Sequence, residues 1–408
     1  MRDLALFLIM VGLVPLILMR PWTGILAWFW VGLMAPHWLP WGFMRGFPMA
    51  QVVALATFAG LVINKDRSSI PMTREMIMLG IFAAYTAMTS YFAVNPDGAW
   101  WFWQHLMKIL LLTFLAPILI YGQQRIIALL VVITFSVGFY GFKGGIFGIL
   151  TGGSHMILGP PNSYLEGNTF IGLAMVMVLP LTLVTARTFS QCQIVFSAPI
   201  INKLSKRIGL FFYATFWLSG LAIIFTFSRG AWIGLIAVAP LIFARLQRKG
   251  LLIFLAFSVV VIVGLSFPDR VLQRWDSLVN YEEDNSAMQR VLSWGVNLNM
   301  ALERPLLGMG FNKEDKGMTW WMGYANFVGD WGPSLHSPHS VYFNLLGAHG
   351  FGGLLVFLLL GAFTFFTFNR IRIEAKRKQS QRWLSEYAWA LQVALIGYFT
   401  AGAFLDVP

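Results

Sequence analysis

Apolar residues run along this chain in blocks of about twenty separated by short polar breaks. The blocks fall at 3–19, 22–40, 43–63, 76–94, 101–120, 124–141, 168–186, 208–227, 231–245, 250–267, 340–368 and 387–405. A helix of about twenty apolar residues spans the hydrocarbon core of a bilayer. The pattern therefore predicts an all-α polytopic membrane protein with about twelve transmembrane helices. One stretch differs: 268–339 holds nine of the seventeen acids against six basic residues, a soluble-domain composition. The expected division is 1–267 as transmembrane helices with short loops, 268–339 as a large loop domain, and 340–408 as C-terminal transmembrane helices.

Composition narrows the class. Of 408 residues 58% are hydrophobic and only 11% charged, against about 25% charged in soluble domains. That excludes a soluble enzyme and a disordered chain. The net charge of +12 comes from Lys and Arg scattered between apolar blocks rather than gathered on one face, which argues against nucleic acid. These residues concentrate in the loops at 64–75, 187–207, 245–250 and 370–382, which the positive-inside rule places in the cytoplasm. The loops at 95–100, 142–167, 228–230 and 268–339 then face the other side. Counting back from 64–75, three full spans put the N-terminus outside, unless one of the first two segments, with Pro15, Pro21, Pro36 and Pro40, fails to cross. The run Leu4–Met19 meets Arg20-Pro21 without a small-residue cleavage site and reads as retained. The ending at Phe404–Pro408, just past a span, is consistent with truncation. The single Cys192 rules out an internal disulfide and a cysteine metal cage.

Within the large loop, 286–303 reads as an amphipathic helix capped by Asn285 or Ser286, with Ala287, Val291, Trp294, Leu298 and Ala301 as its apolar stripe. Pro305 ends it, and Gly308 and Gly310 supply a turn. The segment from Phe142-Lys143-Gly144-Gly145 to Gly152-Gly153 lacks the ending of a phosphate loop and reads as a flexible re-entrant linker.

Few residues can carry chemistry. Arg229, in Thr226-Phe227-Ser228-Arg229-Gly230-Ala231-Trp232, stands between two spans on the side where topology does not call for a basic residue. It snorkels to headgroups, pairs with an Asp or Glu, or clamps an anion bidentately. Arg290 on the loop helix is by itself an ordinary solvated arginine, with Glu282-Glu283-Asp284 as neighbours that pair with it, bind metal or simply meet solvent. His336 and His339 stand in His-Ser-Pro-His-Ser-Val-Tyr where the next span begins. Pro338 breaks the helix that would align them, and no third ligand type completes a tetrahedral set, so no metal is expected. A histidine here is either hydrogen-bonded structure or a general base. His37, His105 and His349 lie in or near apolar runs and read as core or interface residues.

The ordered set resembles a known family. The Ser228–Trp232 turn is followed by Arg290 with Trp294, then Arg304-Pro305-Leu306-Leu307-Gly308-Met309-Gly310-Phe311, then His336–Tyr342. Their order and spacing are similar to those of the O-antigen ligase family, which also includes O-antigen polymerases and protein O-oligosaccharyltransferases. The stretch Pro36-His37-Trp38-Leu39-Pro40-Trp41-Gly42 is also similar to ligase-like proteins associated with exosortase gene clusters.

The resemblance implies a GT-C-like glycosyltransferase in the inner membrane of a Gram-negative bacterium, its active site facing the periplasm. It implies transfer of O-antigen glycan from undecaprenyl diphosphate to lipid A–core, with inversion and without metal, nucleotide or other cofactor. The family's two arginines map onto Arg229 and Arg290 as diphosphate ligands, and its histidine onto His339 as base. His336 is the less favoured alternative, and Tyr342, Asn344 and Arg304 are candidate sugar or acceptor contacts. Two other readings stay open. One keeps the donor and changes the acceptor, as in a polymerase or protein O-oligosaccharyltransferase. The other is a lipid-linked glycan transporter, which would favour internal repeats and a midplane site.

Overall fold

The computed structural model describes residues 1–246, 285–329 and 331–405. The expected span at 250–267 and the acids Glu282, Glu283 and Asp284 lie outside the described residues. Among those described, every regular element is helical. The helices are α1 (Arg2–Met19), α2 (Trp22–Met34), α3 (Met49–Ile63), α4 (Arg74–Tyr91), α5 (Pro96–Leu119), α6 (Gly122–Leu150) and α7 (Gly167–Ser190). They continue as α8 (Pro199–Phe225), α9 (Arg229–Ala244), α10 (Asn285–Glu303), α11 (Met318–Met322), α12 (Val341–Lys376) and α13 (Arg382–Ala401). Among the described residues seven helices are long and apolar enough to cross a membrane, and α2, α3 and α9 are shorter apolar helices. The chain is a multi-pass membrane protein, all-α among the described residues.

It divides into two compact units. The first comprises Met1–Thr73, Ile109–Val238 and Phe365–Tyr398; the second comprises the described parts of Arg74–Lys108, Ala239–Thr364 and Phe399–Pro408.

In the first unit α1, α2 and α3 pack around Ile17, Val31, Met49 and Val53. Asn64, just past α3, donates to the Leu18 carbonyl at 2.5 Å. At the other end the Asp3 carboxylate accepts from the Gly42 and Met44 amides. The three helices thus alternate in direction, and the first residues lie at the end opposite the basic 64–75 loop. The helix α2 stops well short of residue 40, because Ala35 turns left-handed (φ 46°) ahead of Pro36.

Of the glycines read as a linker, Gly144 and Gly145 instead lie in the last turns of α6, while Gly152 and Gly153 follow it in a turn with φ of 57° and 76°. A Cβ at Gly141 would lie 2.0 Å from Ser219 Oγ, at Gly145 2.4 Å from the Leu218 carbonyl, and at Gly148 2.1 Å from the Phe225 ring. Small residues at this spacing let two apolar helices approach backbone to backbone where lipid supplies no hydrophobic drive. The part of the segment that looked flexible, through Gly145 and Gly148, continues the α6–α8 packing face that begins at Gly141.

In the second unit α12 carries a break. Gly350 has φ 65° and ψ −170°, so the stretch expected as one continuous span at 340–368 is interrupted. The turn after α10 fills the break: the Met309 amide donates to the Gly347 carbonyl at 2.9 Å, Gly310 to Ala348 at 2.8 Å, and Phe351 to Pro305 at 2.8 Å. Backbone groups away from water must find partners in protein, and the turn supplies them. Gly308 and Gly310 have φ of 60° and 86°, as the turn reading required.

The helix α10 exists as predicted and ends before Pro305, but its core face differs from the expected stripe. Leu292, Val296 and Met300 pack with Met309 and Trp321, while Val291 and Leu298 are more than a third exposed. Ser293 and Asn297 are fully buried and bond to backbone carbonyls. Two polar residues on the buried side displaced the apparent apolar stripe.

Candidate active site

Arg229 lies in the first unit as the first residue of α9. The turn before it is fixed from several sides. Phe227 is left-handed (φ 51°). Ser228 Oγ accepts from the Ala231 amide at 3.3 Å, serving as the helix cap, and the Trp232 indole donates to the Ile224 carbonyl at 3.0 Å. The Asn168 amide from α7 donates to the Thr226 carbonyl at 2.9 Å. A cation at a helix N-terminus works against the helix dipole, so this placement adds nothing to helix stability. It does concentrate positive potential where backbone N–H groups already point, a setting suited to an anion.

The second unit brings most of the other sequence-predicted residues together. The carbonyls of His336 and Pro338 accept from α10, through Ser293 Oγ at 2.8 Å and the Trp294 indole N–H at 2.7 Å. The Trp294 ring stacks on Phe343 at 5.1 Å with 8° between planes. Arg290 is one helical turn before Trp294 and His339 is the residue after Pro338, so this clamp holds the arginine-bearing helix against the histidine-bearing segment.

His339 itself is left-handed, at φ 44°. It precedes the buried Ser340, whose carbonyl accepts from the Asn344 amide as α12 begins. A non-glycine residue in that region carries roughly 1–2 kcal/mol of strain and persists only where its surroundings dictate it. The α10 clamp, which ends at Pro338 immediately before it, is part of those surroundings.

The remaining candidates have defined partners. His336 Nε2 lies 2.7 Å from Ser334 Oγ within the loop, and burial pushes its imidazole below the ordinary histidine range. The Tyr342 hydroxyl donates to the Phe399 carbonyl at 2.6 Å. Arg304 donates to the Phe92 carbonyl at 2.7 Å, at the end of α4. Asn344 Oδ1 accepts from Lys313 Nζ at 3.2 Å.

Lys313 escaped the sequence reading. It is 1% exposed and also pairs with Glu314 at 3.0 Å. In the sequence it is one charge in the acid-rich loop, Asn-Lys-Glu-Asp-Lys, with nothing to separate it from its solvated neighbours. Only its position just after the Gly308–Gly310 turn hints that it is carried inward. Among the core histidines, His349 is fully buried with Nδ1 2.6 Å from Thr89 Oγ1. His105 Nδ1 lies 2.7 Å from the Trp101 carbonyl. Among the described residues no three His, Cys, Asp or Glu gather as metal ligands.

Two outcomes follow from this geometry. Trp294→Phe keeps the ring stack and loses the N–H bond to Pro338, which should cost about 1 kcal/mol of stability. The misplacement of His339 should lower turnover by about tenfold to 10²-fold. Melting curves and rates on the same sample check both. Lys313→Met strands the Asn344 carbonyl oxygen and leaves the Glu314 carboxylate, 35% exposed, to solvent, which should cost about 1–2 kcal/mol. Thermal unfolding in detergent should show a drop of several degrees.

Comparison with known families matches residues 214–358 to a family described as O-antigen ligase. Residues 1–190 match a family of unknown function (DUF5935). No curated protein matches the chain.

Proposed function

We propose, from the match of residues 214–358 to the O-antigen ligase family, that this chain is an inverting, metal-independent glycosyltransferase of GT-C-like architecture with about twelve spans. Family membership carries the coarse activity, glycosyl transfer between a lipid-linked glycan and a lipid acceptor. The finer reading is transfer of O-antigen glycan from undecaprenyl diphosphate to lipid A–core, at the periplasmic face of a Gram-negative inner membrane.

The observation that supports it most is the clamp from Ser293 and Trp294 to the segment carrying His339. It pairs a fixed cation-bearing helix with a histidine held in a strained conformation. In the reaction the acceptor hydroxyl attacks the anomeric carbon as His339 takes its proton. A new C–O bond forms, the glycosyl–phosphate C–O bond breaks, and its electron pair leaves on undecaprenyl diphosphate. Arg229 and Arg290 stabilise the charge that grows on the phosphate oxygens. In-line displacement inverts the anomeric centre. Arg304, Tyr342, Asn344 and His336 shape the sugar and acceptor side.

The test uses purified protein with undecaprenyl-diphosphate-linked glycan and three acceptors in separate reactions: lipid A–core, the same lipid-linked glycan, and an acceptor protein. Glycan on lipid A–core, seen as a gel shift, is expected. Glycan chains lengthened on the donor lipid or attached to protein would reassign the acceptor and keep the transfer chemistry.

A further inference from the structure

A pocket of about 640 Å³ opens in the first unit, lined by Arg20, Trp22, Asp66, Tyr121, Gln124 and Arg125 among others. Its walls are helix ends: Arg20 joins α1 to α2, Asp66 follows α3, and Tyr121 to Arg125 carry the chain from α5 into α6. All lie at the end that holds the basic 64–75 loop, where Lys65 and Arg67 flank Asp66. None of these residues has a part in the transfer chemistry above.

The side chains are arranged around Arg125. Its guanidinium donates to Asp66 Oδ2 at 2.7 Å and to the Leu119 carbonyl at 3.0 Å. It stacks over Tyr121 at 4.1 Å and over Trp22 at 5.4 Å, while the Tyr121 hydroxyl donates to Asp66. These bonds use two of the five N–H donors of a guanidinium. Asp66 is thereby turned toward Arg125 and Tyr121, and Arg20 adds a second, exposed cation to the rim. The first turn of α6 presents backbone N–H groups that have no partner within the helix, and Gln124 brings amide donors. Tryptophan and tyrosine are the residues that sit at headgroup level. Beside Arg20, Leu16 and Met19 are 41% and 72% exposed on the outer surface of α1, a path for acyl chains.

We propose that this pocket binds the phosphate headgroup of an anionic phospholipid from the leaflet that adjoins the basic loops. The donor set suits phosphate from any source, and the contiguous exposed apolar surface selects a lipid over the free ion. Basic pockets between helix ends on the cytoplasmic side are suited to such lipids.

Native mass spectrometry of the full-length protein in mild detergent tests this, with phosphatidylglycerol and phosphatidylcholine supplied together and a parallel sample given inorganic phosphate. Wild type should retain phosphatidylglycerol in preference to phosphatidylcholine. Arg20→Ala should weaken that preference roughly fivefold, and Gln124→Glu should weaken it independently, with melting temperatures unchanged for both. Equal retention of the two lipids, or a preference that survives both substitutions, overturns the proposal. Binding of inorganic phosphate in place of the lipid assigns the pocket to the free ion and overturns it as well.

Discussion

Replacing His339 by glycine should give a folded protein that no longer transfers glycan at a useful rate. At φ 44° the native residue carries roughly 1–2 kcal/mol of left-handed strain. Glycine removes that strain and loses about 0.5–1 kcal/mol to chain entropy, so thermal unfolding should be no easier than in His339→Ala, which lacks the same side chain and keeps the strain. A general base is worth about 10²–10⁴ in rate, and turnover should fall by that factor. His339→Ala should lose the same activity without the gain in backbone freedom. This pair separates chemistry from architecture, because a merely structural histidine would lose activity only together with stability. A glycine variant that keeps near-native turnover would remove His339 from the mechanism.

The arginines should behave differently. Arg229→Ala and Arg290→Ala each delete a guanidinium assigned to the diphosphate, and loss of one such donor costs about 10²–10³ in turnover. Lysine at either position restores the charge and not the planar two-point geometry, so Arg229→Lys and Arg290→Lys should recover only part of the rate. Donor binding, measured with the lipid-linked glycan alone, should weaken in all four variants. Acceptor binding should not change. Turnover within a few-fold of wild type in either alanine variant would sink the two-arginine account.

Much of this was legible in the sequence for a physical reason. Twenty-residue apolar blocks have few interpretations, so the helical membrane class could be read directly, and seven of the blocks meet described helices long and apolar enough to cross a membrane. The Gly308–Gly310 turn and the Pro305 stop are equally local, being set by backbone sterics.

What the sequence hid was set by partners distant in the chain. Gly145 and Gly148 of α6 look flexible until Leu218 and Phe225 are placed against them. The break at Gly350 is invisible because the turn that repairs it lies some forty residues upstream. The stripe on α10 was misassigned because Ser293 and Asn297 are polar residues that are buried to make bonds. Lys313 looked solvated for the same reason. The candidate residues could be named from an ordered pattern, but the clamp by Trp294 and the strain at His339 belong to the fold.

The most direct test of the transfer chemistry follows both products in one reaction: undecaprenyl diphosphate released and glycan joined to lipid A–core, with a chelator present and no nucleotide, for wild type beside His339→Gly. The account predicts the two products in equal amounts from wild type and neither above background from the variant. Absence of both from wild type under these conditions, or their undiminished formation by the variant, would contradict it.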